Sequence, residues 1–222
     1  MDYSFKKLHN SQIIIDPWEH IFIENFLPED FYKNLVNMLN SLRSKDFFNE
    51  LQEKIPSSGP ASFRLPVYDS NIDYIKDYFA MFDSDKFKKS IISKFDICKR
   101  KIAGDFSSIG SIQEGYYDVS TYGHKYRVHR DSKYKLVTIV FHLAEPGDDV
   151  TLGTRMYPPT KDLESLDWEK DCVKITEYKP NSLLIFPSNK HTNKCTNHAM
   201  GHTSKITTFR KNLITFYPLL VK

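Results

Sequence analysis

Two residues near the middle of the chain carry the first indication of chemistry. His129 and Asp131 stand two apart in Tyr126-Arg127-Val128-His129-Arg130-Asp131. In an extended segment side chains alternate between faces, so residues two apart project to the same side. An imidazole nitrogen and a carboxylate oxygen then reach one point in space and can hold a metal ion there. A third donor has to come from a distant segment, and His191, His198 and His202 follow the apolar run at 182–186 and are the candidates. Two imidazoles and one carboxylate occupy one face of an ion and leave the opposite face open, the arrangement suited to mononuclear non-haem Fe(II). A lone His-x-Asp is common by chance, so the weight of this reading rests on its surroundings.

Other residues bear on the same chemistry. Arg210 lies in a strand-like stretch, where a guanidinium offers a planar, two-pronged fork to a carboxylate and is costly to bury without one. Asn212 shares its face, while Lys211 points the other way and is the fallback for the same role. His142 sits within an apolar strand and reads as a satisfied core histidine; His124 lies in a turn and reads as surface. Lys135 and Arg155 fit either a pocket wall or solvated strand ends. Arg127 and Arg130 flank the motif, where they can meet an anionic substrate.

The elements that must position these groups are legible in outline. Residues 13–15 and 20–23 look like short strands around Asp16-Pro17. Pro28-Glu29-Asp30 opens a helix whose apolar stripe is Phe31, Leu35, Met38, Leu39 and Leu42. A second helical stretch runs over 72–95, after a turn-rich break at 57–60. From about residue 105 the pattern turns to strands at 116–122, 125–129, 135–143, 172–177, 182–186 and 206–220, separated by Gly, Pro, Asn and Asp. Helices first (about 28–95) and strands after (about 105–220) predict an α+β fold with a mainly β core, a sandwich or barrel braced by helices, in one domain over 1–222. Hydrophobic residues make up 40% and charged residues 27% of the 222 positions, as expected of a globular chain. The net charge of +3 is too small to argue for nucleic acid. No apolar run is long enough to span a bilayer, and residues 1–10 are polar and lack a secretory signal. Three scattered cysteines (Cys98, Cys172, Cys195) fit reduced thiols, so the expected location is cytoplasmic.

The order of several blocks resembles the Fe(II)/2-oxoglutarate-dependent oxygenases, in particular the prolyl-hydroxylase-like branch. These blocks are Pro17-Trp18-Glu19-His20 with Ile23-Glu24-Asn25-Phe26-Leu27-Pro28, the Tyr126/His129/Asp131 motif, and Lys135-Leu136-Val137-Thr138. They continue with Leu152-Gly153-Thr154-Arg155-Met156-Tyr157, Pro180-Asn181-Ser182-Leu183-Leu184-Ile185-Phe186-Pro187, and Arg210-Lys211-Asn212-Leu213-Ile214. The resemblance implies a double-stranded β-helix, a jelly-roll or cupin-like fold, with the metal at its mouth. It implies Fe(II), 2-oxoglutarate as cosubstrate and dioxygen, with succinate and CO2 released as a substrate is hydroxylated. His129 and Asp131 would be iron ligands. The distal ligand would be His198, which sits in the relatives' pattern of small residue, His, small residue, apolar residue; His191 is the alternative, and His202 the third choice. Arg210, helped by Asn212, would receive the far carboxylate of 2-oxoglutarate, and Tyr126 matches a tyrosine that hydrogen-bonds the cosubstrate. Halogenating relatives carry a small residue at the Asp131 position, so the carboxylate here implies hydroxylation.

The substrate is not encoded in any motif: a small molecule, a sugar or a protein side chain such as proline are the classes left open, and so is the oligomeric state. The loops at 145–149, 158–170 and 107–117 are where specificity is expected. The competing reading is a jelly-roll binding module without catalysis, in which His129, Asp131 and His198 are incidental. A nucleic-acid demethylase of the same superfamily is disfavoured by the absence of a basic, aromatic stripe.

Overall fold

In a computed structural model of the protein, residues 2–42, 62–97, 109–112, 114–132, 134–160, 162–188 and 195–220 are described. His191, Cys98 and the turn at 57–60 lie outside them. No helix among the described residues is long and apolar enough to cross a membrane.

The first part of the chain builds helices. After α1 (Asp2–Asn10), α2 (Glu29–Ser41) starts behind Pro28 with two acids in its first turn, as the helix dipole favours. Its buried stripe is Tyr32, Leu35 and Leu39, whereas Met38, expected to face the core, is 37% exposed. The stretch expected to be one helix over 72–95 is two, α3 (Asp73–Asp83) and α4 (Asp85–Lys94). Ser84 divides them because its extended backbone ends the first helix while its hydroxyl accepts from the Phe87 N–H and caps the second.

The strands form two antiparallel sheets. The larger contains β1 (Ile21–Ile23), β2 (Ser62–Pro66), β3 (Gly115–Thr121), β4 (Lys135–Leu143), β7 (Pro180–Pro187) and β9 (Phe209–Pro218), in the order β1-β7-β4-β9-β3-β2. The smaller contains β5 (Arg155–Met156), β6 (Lys174–Ile175) and β8 (His198–Ala199), in the order β6-β5-β8. Residues 125–129, expected as a strand, lie extended beside β8 and pair with it only through the bridges Lys125↔Gly201 and His129↔His198. The expected strand at 172–177 shrinks to two residues, while β2, β5 and β8 were not anticipated. Short strands of two residues carry too little periodicity to announce themselves.

The result is the double-stranded β-helix, an α+β jelly roll. One face of the large sheet is packed by the helices through a core that includes Val137, Ile139, Phe141, Leu183, Ile185 and Leu213 together with Leu35, Tyr78, Phe82 and Ile91. Its other face meets the small sheet through Val140, Leu184, Phe186 and Ile214 against Met156, with Trp18 between. β4 is covered on both faces, which is why its sequence, KLVTIVFHL, is nearly continuous in apolar residues and does not alternate.

Candidate metal centre

His129 and His198 are brought together by the backbone. The His129 N–H donates to the His198 carbonyl at 2.9 Å and the His198 N–H donates back at 3.0 Å. Directly paired antiparallel residues project their side chains from the same face, so the two imidazoles meet, with ring centroids 4.3 Å apart. Asp131, two residues after His129, turns into the same space, with an oxygen 3.9 Å from His198 Nε2. One donor atom from each of the three lies within 4.8 Å of the other two, within reach of a single ion.

The donors are prepared for a metal in protonation and orientation. His129 Nδ1 faces the Arg127 carbonyl at 3.1 Å, and His198 Nδ1 faces the Thr196 carbonyl at 2.9 Å. A carbonyl only accepts, so each Nδ1 carries the proton and each Nε2 presents its lone pair to the shared space. Burial, and then the neighbouring His198, lower the His129 pKa to about 3, which keeps that ring neutral. Burial opposes the charge on Asp131, but His198, Lys135 and Thr138 outweigh it and hold the carboxyl at about 2. Lys135 Nζ donates to one carboxylate oxygen at 3.1 Å and Thr138 Oγ1 to the other at 2.6 Å. Lys135 is thus a neighbour of the candidate ligand and not a solvated strand end. Trp18 and Phe186 flank the His198 ring, at 6.4 and 4.9 Å between centroids.

Asn197 ties the two ligand-bearing segments to the loop behind them. Its amide donates to the Pro158 and Thr160 carbonyls and accepts from Arg130 Nε at 2.8 Å. Arg130 also donates to Thr160, so its guanidinium holds the frame and does not greet a substrate as its place in the sequence suggested. Tyr126 stands at the rim, 36% exposed, with its ring edge-on to His129 at 4.7 Å. His202 lies farther along the same ladder, its N–H bonded to the His124 carbonyl, and is not one of the converging donors.

Arg210 is not at an edge: β9 runs between β4 and β3, and the side chain is buried to 1% exposure. On this face of β9, Phe216 and Ile214 line the cavity in front of the triad, and Asn212 and Arg210 follow on the same face farther along the strand, where Arg210 borders a narrow recess with Arg64 and Tyr126. Arg210 Nε donates to the Leu152 carbonyl, and the Asn212 amide, with its oxygen toward the guanidinium, accepts from Nη1 at 2.6 Å. Nη2 is buried without a partner, and no carboxylate pairs with Arg210 among the described residues. His142, which pairs with Asn212 across the β4–β9 ladder, bonds Ser182 Oγ through Nδ1 at 3.0 Å but leaves Nε2 buried and unpartnered; it is only half satisfied, contrary to its sequence reading. Thr154, on the cavity wall, has a likewise orphaned hydroxyl. An uncompensated buried guanidinium with further polar atoms awaiting partners suits a carboxylate arriving from the cavity. Lys211 faces the opposite side, where it pairs with Glu145.

Thr138, Arg64, Tyr116 and Phe216 were not singled out by the sequence. Thr138 and Lys135 are seven and four residues from Asp131, and no local periodicity links them to it. Their closeness exists only once β4 turns back beside the motif.

No family model matches the sequence, and no curated protein matches it. By structure the chain is similar to a prolyl-4-hydroxylase from Pseudomonas putida, with a TM-score of 0.59, 14% identity and 97% of each chain covered. It is similar to a prolyl 4-hydroxylase from Phytophthora capsici at a TM-score of 0.57 and 14% identity, over 97% of this chain and 65% of that one. It is also similar to EctD from S. alaskensis, solved with 2-oxoglutarate and 5-hydroxyectoine, at a TM-score of 0.53 and 12% identity over 90% and 72% of the two chains. The fold is the one these prolyl 4-hydroxylases and 2-oxoglutarate/Fe(II) oxygenases share.

Proposed function

We propose that this chain is an Fe(II)- and 2-oxoglutarate-dependent dioxygenase that hydroxylates an organic substrate and releases succinate and CO2. The observation that carries the reading is the convergence of His129, Asp131 and His198, with both imidazoles held by backbone carbonyls so that Nε2 is the free donor. His129 Nε2, the Asp131 carboxylate and His198 Nε2 would hold the iron. When bound, iron and 2-oxoglutarate supply the oxidising power, drawn from dioxygen and the decarboxylation of the keto acid.

The chain's own residues bind, orient and exclude. Arg210 would take the far carboxylate of the cosubstrate, with the unpartnered His142 Nε2 near it and Asn212 steadying the guanidinium. Tyr126, edge-on to His129, is placed to hydrogen-bond at the rim. Lys135 and Thr138 fix the Asp131 carboxylate and keep it ionised. Val140, Phe186, Ile214 and Phe216 make the cavity wall apolar and displace water from the reacting region. With Asp131 retained as a carboxylate ligand, hydroxylation is the expected outcome.

The test is succinate formation and oxygen uptake on addition of Fe(II) and 2-oxoglutarate, for the wild type and for Asp131→Ala. Metal-dependent succinate from the wild type alone is expected. A wild type that neither binds Fe(II) nor forms succinate would defeat the proposal in favour of a non-catalytic jelly-roll module.

A further inference from the structure

The cavity in front of the triad, about 300 Å³, is lined by four cations: Arg64, Arg127, Arg130 and Lys135. Two of them are already committed, Lys135 to Asp131 and Arg130 to Asn197 and Thr160. The other two are available. Arg64 lies on β2, the edge strand, directly across from Asp118 of β3. The buried Asp118 carboxylate accepts from Arg64 Nε at 2.9 Å and from Ser62 Oγ at 3.1 Å. The guanidinium also lies 5.7 Å over the Tyr126 ring. It is held along one edge and one face, and its terminal nitrogens have no hydrogen-bond partner among the described residues. Arg127 is exposed, pairs with no acid among the described residues, and is placed by its own carbonyl, which accepts from His129. The other carboxylate on the rim, Glu114, accepts from the Tyr116 hydroxyl at 2.7 Å and also borders the adjoining groove along 65–70.

We propose that the substrate is a small molecule bearing an anionic group, a carboxylate or a phosphate, received by Arg64 and Arg127 at the rim of this cavity. The inference rests on the oxygenase reading and names the substrate class for it. A pre-positioned guanidinium with unused N–H groups recognises a planar or tetrahedral oxyanion by paired hydrogen bonds, and the Asp118 and Tyr126 contacts of Arg64 reduce the conformational entropy lost in doing so. Tyr126 links the two, its ring under the Arg64 guanidinium and edge-on to His129, so a group held by Arg64 lies near the reacting region. The volume is at the small end of ligand pockets, which favours a small molecule over an extended peptide chain.

The experiment uses wild-type protein saturated with Fe(II) and 2-oxoglutarate, so that the Arg210 position is filled before any probe is added. A panel of small carboxylates and phosphate monoesters, each with its neutral amide, methyl ester or alcohol counterpart, is scored anaerobically by calorimetric binding. The same panel is scored in air by stimulation of succinate release. Anionic members are expected to bind at least about tenfold more tightly than their neutral counterparts, the scale of one charge-assisted hydrogen bond. Whether carboxylates or phosphates lead identifies the group, and either supports the proposal. Arg127→Gln, at an exposed position that the fold does not depend on, should weaken binding at least about tenfold. Arg64→Lys, which keeps the charge beside Asp118, should weaken it less, and Glu114→Gln should leave it unchanged or tighten it. Equal binding of neutral members, or an Arg127→Gln variant that binds like wild type, overturns the anion inference while leaving the oxygenase intact. A wild type that forms no succinate at all removes the oxygenase reading and this inference with it.

Discussion

Replacing Arg210 by Met tests the cosubstrate assignment where the structure is most committed. The guanidinium is 1% exposed, bonded through Nε to Leu152 and through Nη1 to Asn212, and unpartnered at Nη2. Methionine keeps the apolar stem and removes the charge. Two effects oppose each other in the ligand-free protein. The Leu152 carbonyl and the Asn212 amide lose their donor, at about 1–3 kcal/mol each. Removing a buried cation that has no counter-ion returns a similar amount, on the scale of about 1–4 kcal/mol seen when buried charges give way to apolar groups. Ligand-free Arg210→Met should therefore unfold within about 2 kcal/mol of wild type. The difference should emerge with 2-oxoglutarate. A ligand at a hundred times its Kd stabilises by about 2.7 kcal/mol. In a chain of this size each kcal/mol raises Tm by roughly 2–4 °C, so the wild type should gain roughly 5–10 °C. Anaerobic thermal unfolding with Fe(II), with and without 2-oxoglutarate, reads this directly. The variant should lose most of the gain. A full shift retained in Arg210→Met would refute the reasoning and place the carboxylate elsewhere.

Three further outcomes are expected. His129→Ala, Asp131→Ala and His198→Ala should each weaken anaerobic Fe(II) binding by more than about tenfold while His202→Ala does not, since the first three hold the converging donors; undiminished binding in His198→Ala would move the distal ligand to His191. The metal-free protein should lose stability as pH falls from 6.5 to 3. Burial, then His198 for His129 and Arg210 for His142, lower both pKa values to about 3, so in that window the unfolded chain takes up protons that the folded chain refuses. Asp131, held at about 2, adds a further loss between pH 3.8 and 2. Each imidazole accounts for on the order of 5 kcal/mol, and urea midpoints that rise between pH 6.5 and 4 would contradict this. Gly153→Ala should cost about 3 kcal/mol or more, because the added Cβ would stand 1.6 Å from the Thr176 carbonyl oxygen. A Tm within 2 °C of wild type, a margin of about 1 kcal/mol or less, would show that the Leu152–Thr154 segment yields easily.

Several features were decided locally and could be read from the sequence. The two-residue spacing of His129 and Asp131 puts both on one face of any extended segment. The apolar run of β4 implies a strand covered on both sides, and Pro28 with two acids starts a helix in most contexts. The same period-two logic put Arg210 and Asn212 on one face and Lys211 on the other. What required the tertiary structure is what depends on closing long loops. His198 meets His129 because their backbones pair, whereas spacing and resemblance could only rank it ahead of His191 and His202. Arg210 is buried because β9 inserts between β4 and β3, a pair of neighbours that no local pattern specifies. Arg64 reaches Asp118 only after strands distant in sequence fall into register, and Lys135 and Thr138, though near in sequence, reach Asp131 only because β4 turns back beside the motif. Alternation along a strand is a property of its own backbone dihedrals, whereas the residue that lies across from it is set by the fold of the whole chain. That is why the shared face of His129 and Asp131 could be read within six residues, and the partners of His198, Arg210 and Arg64 could not.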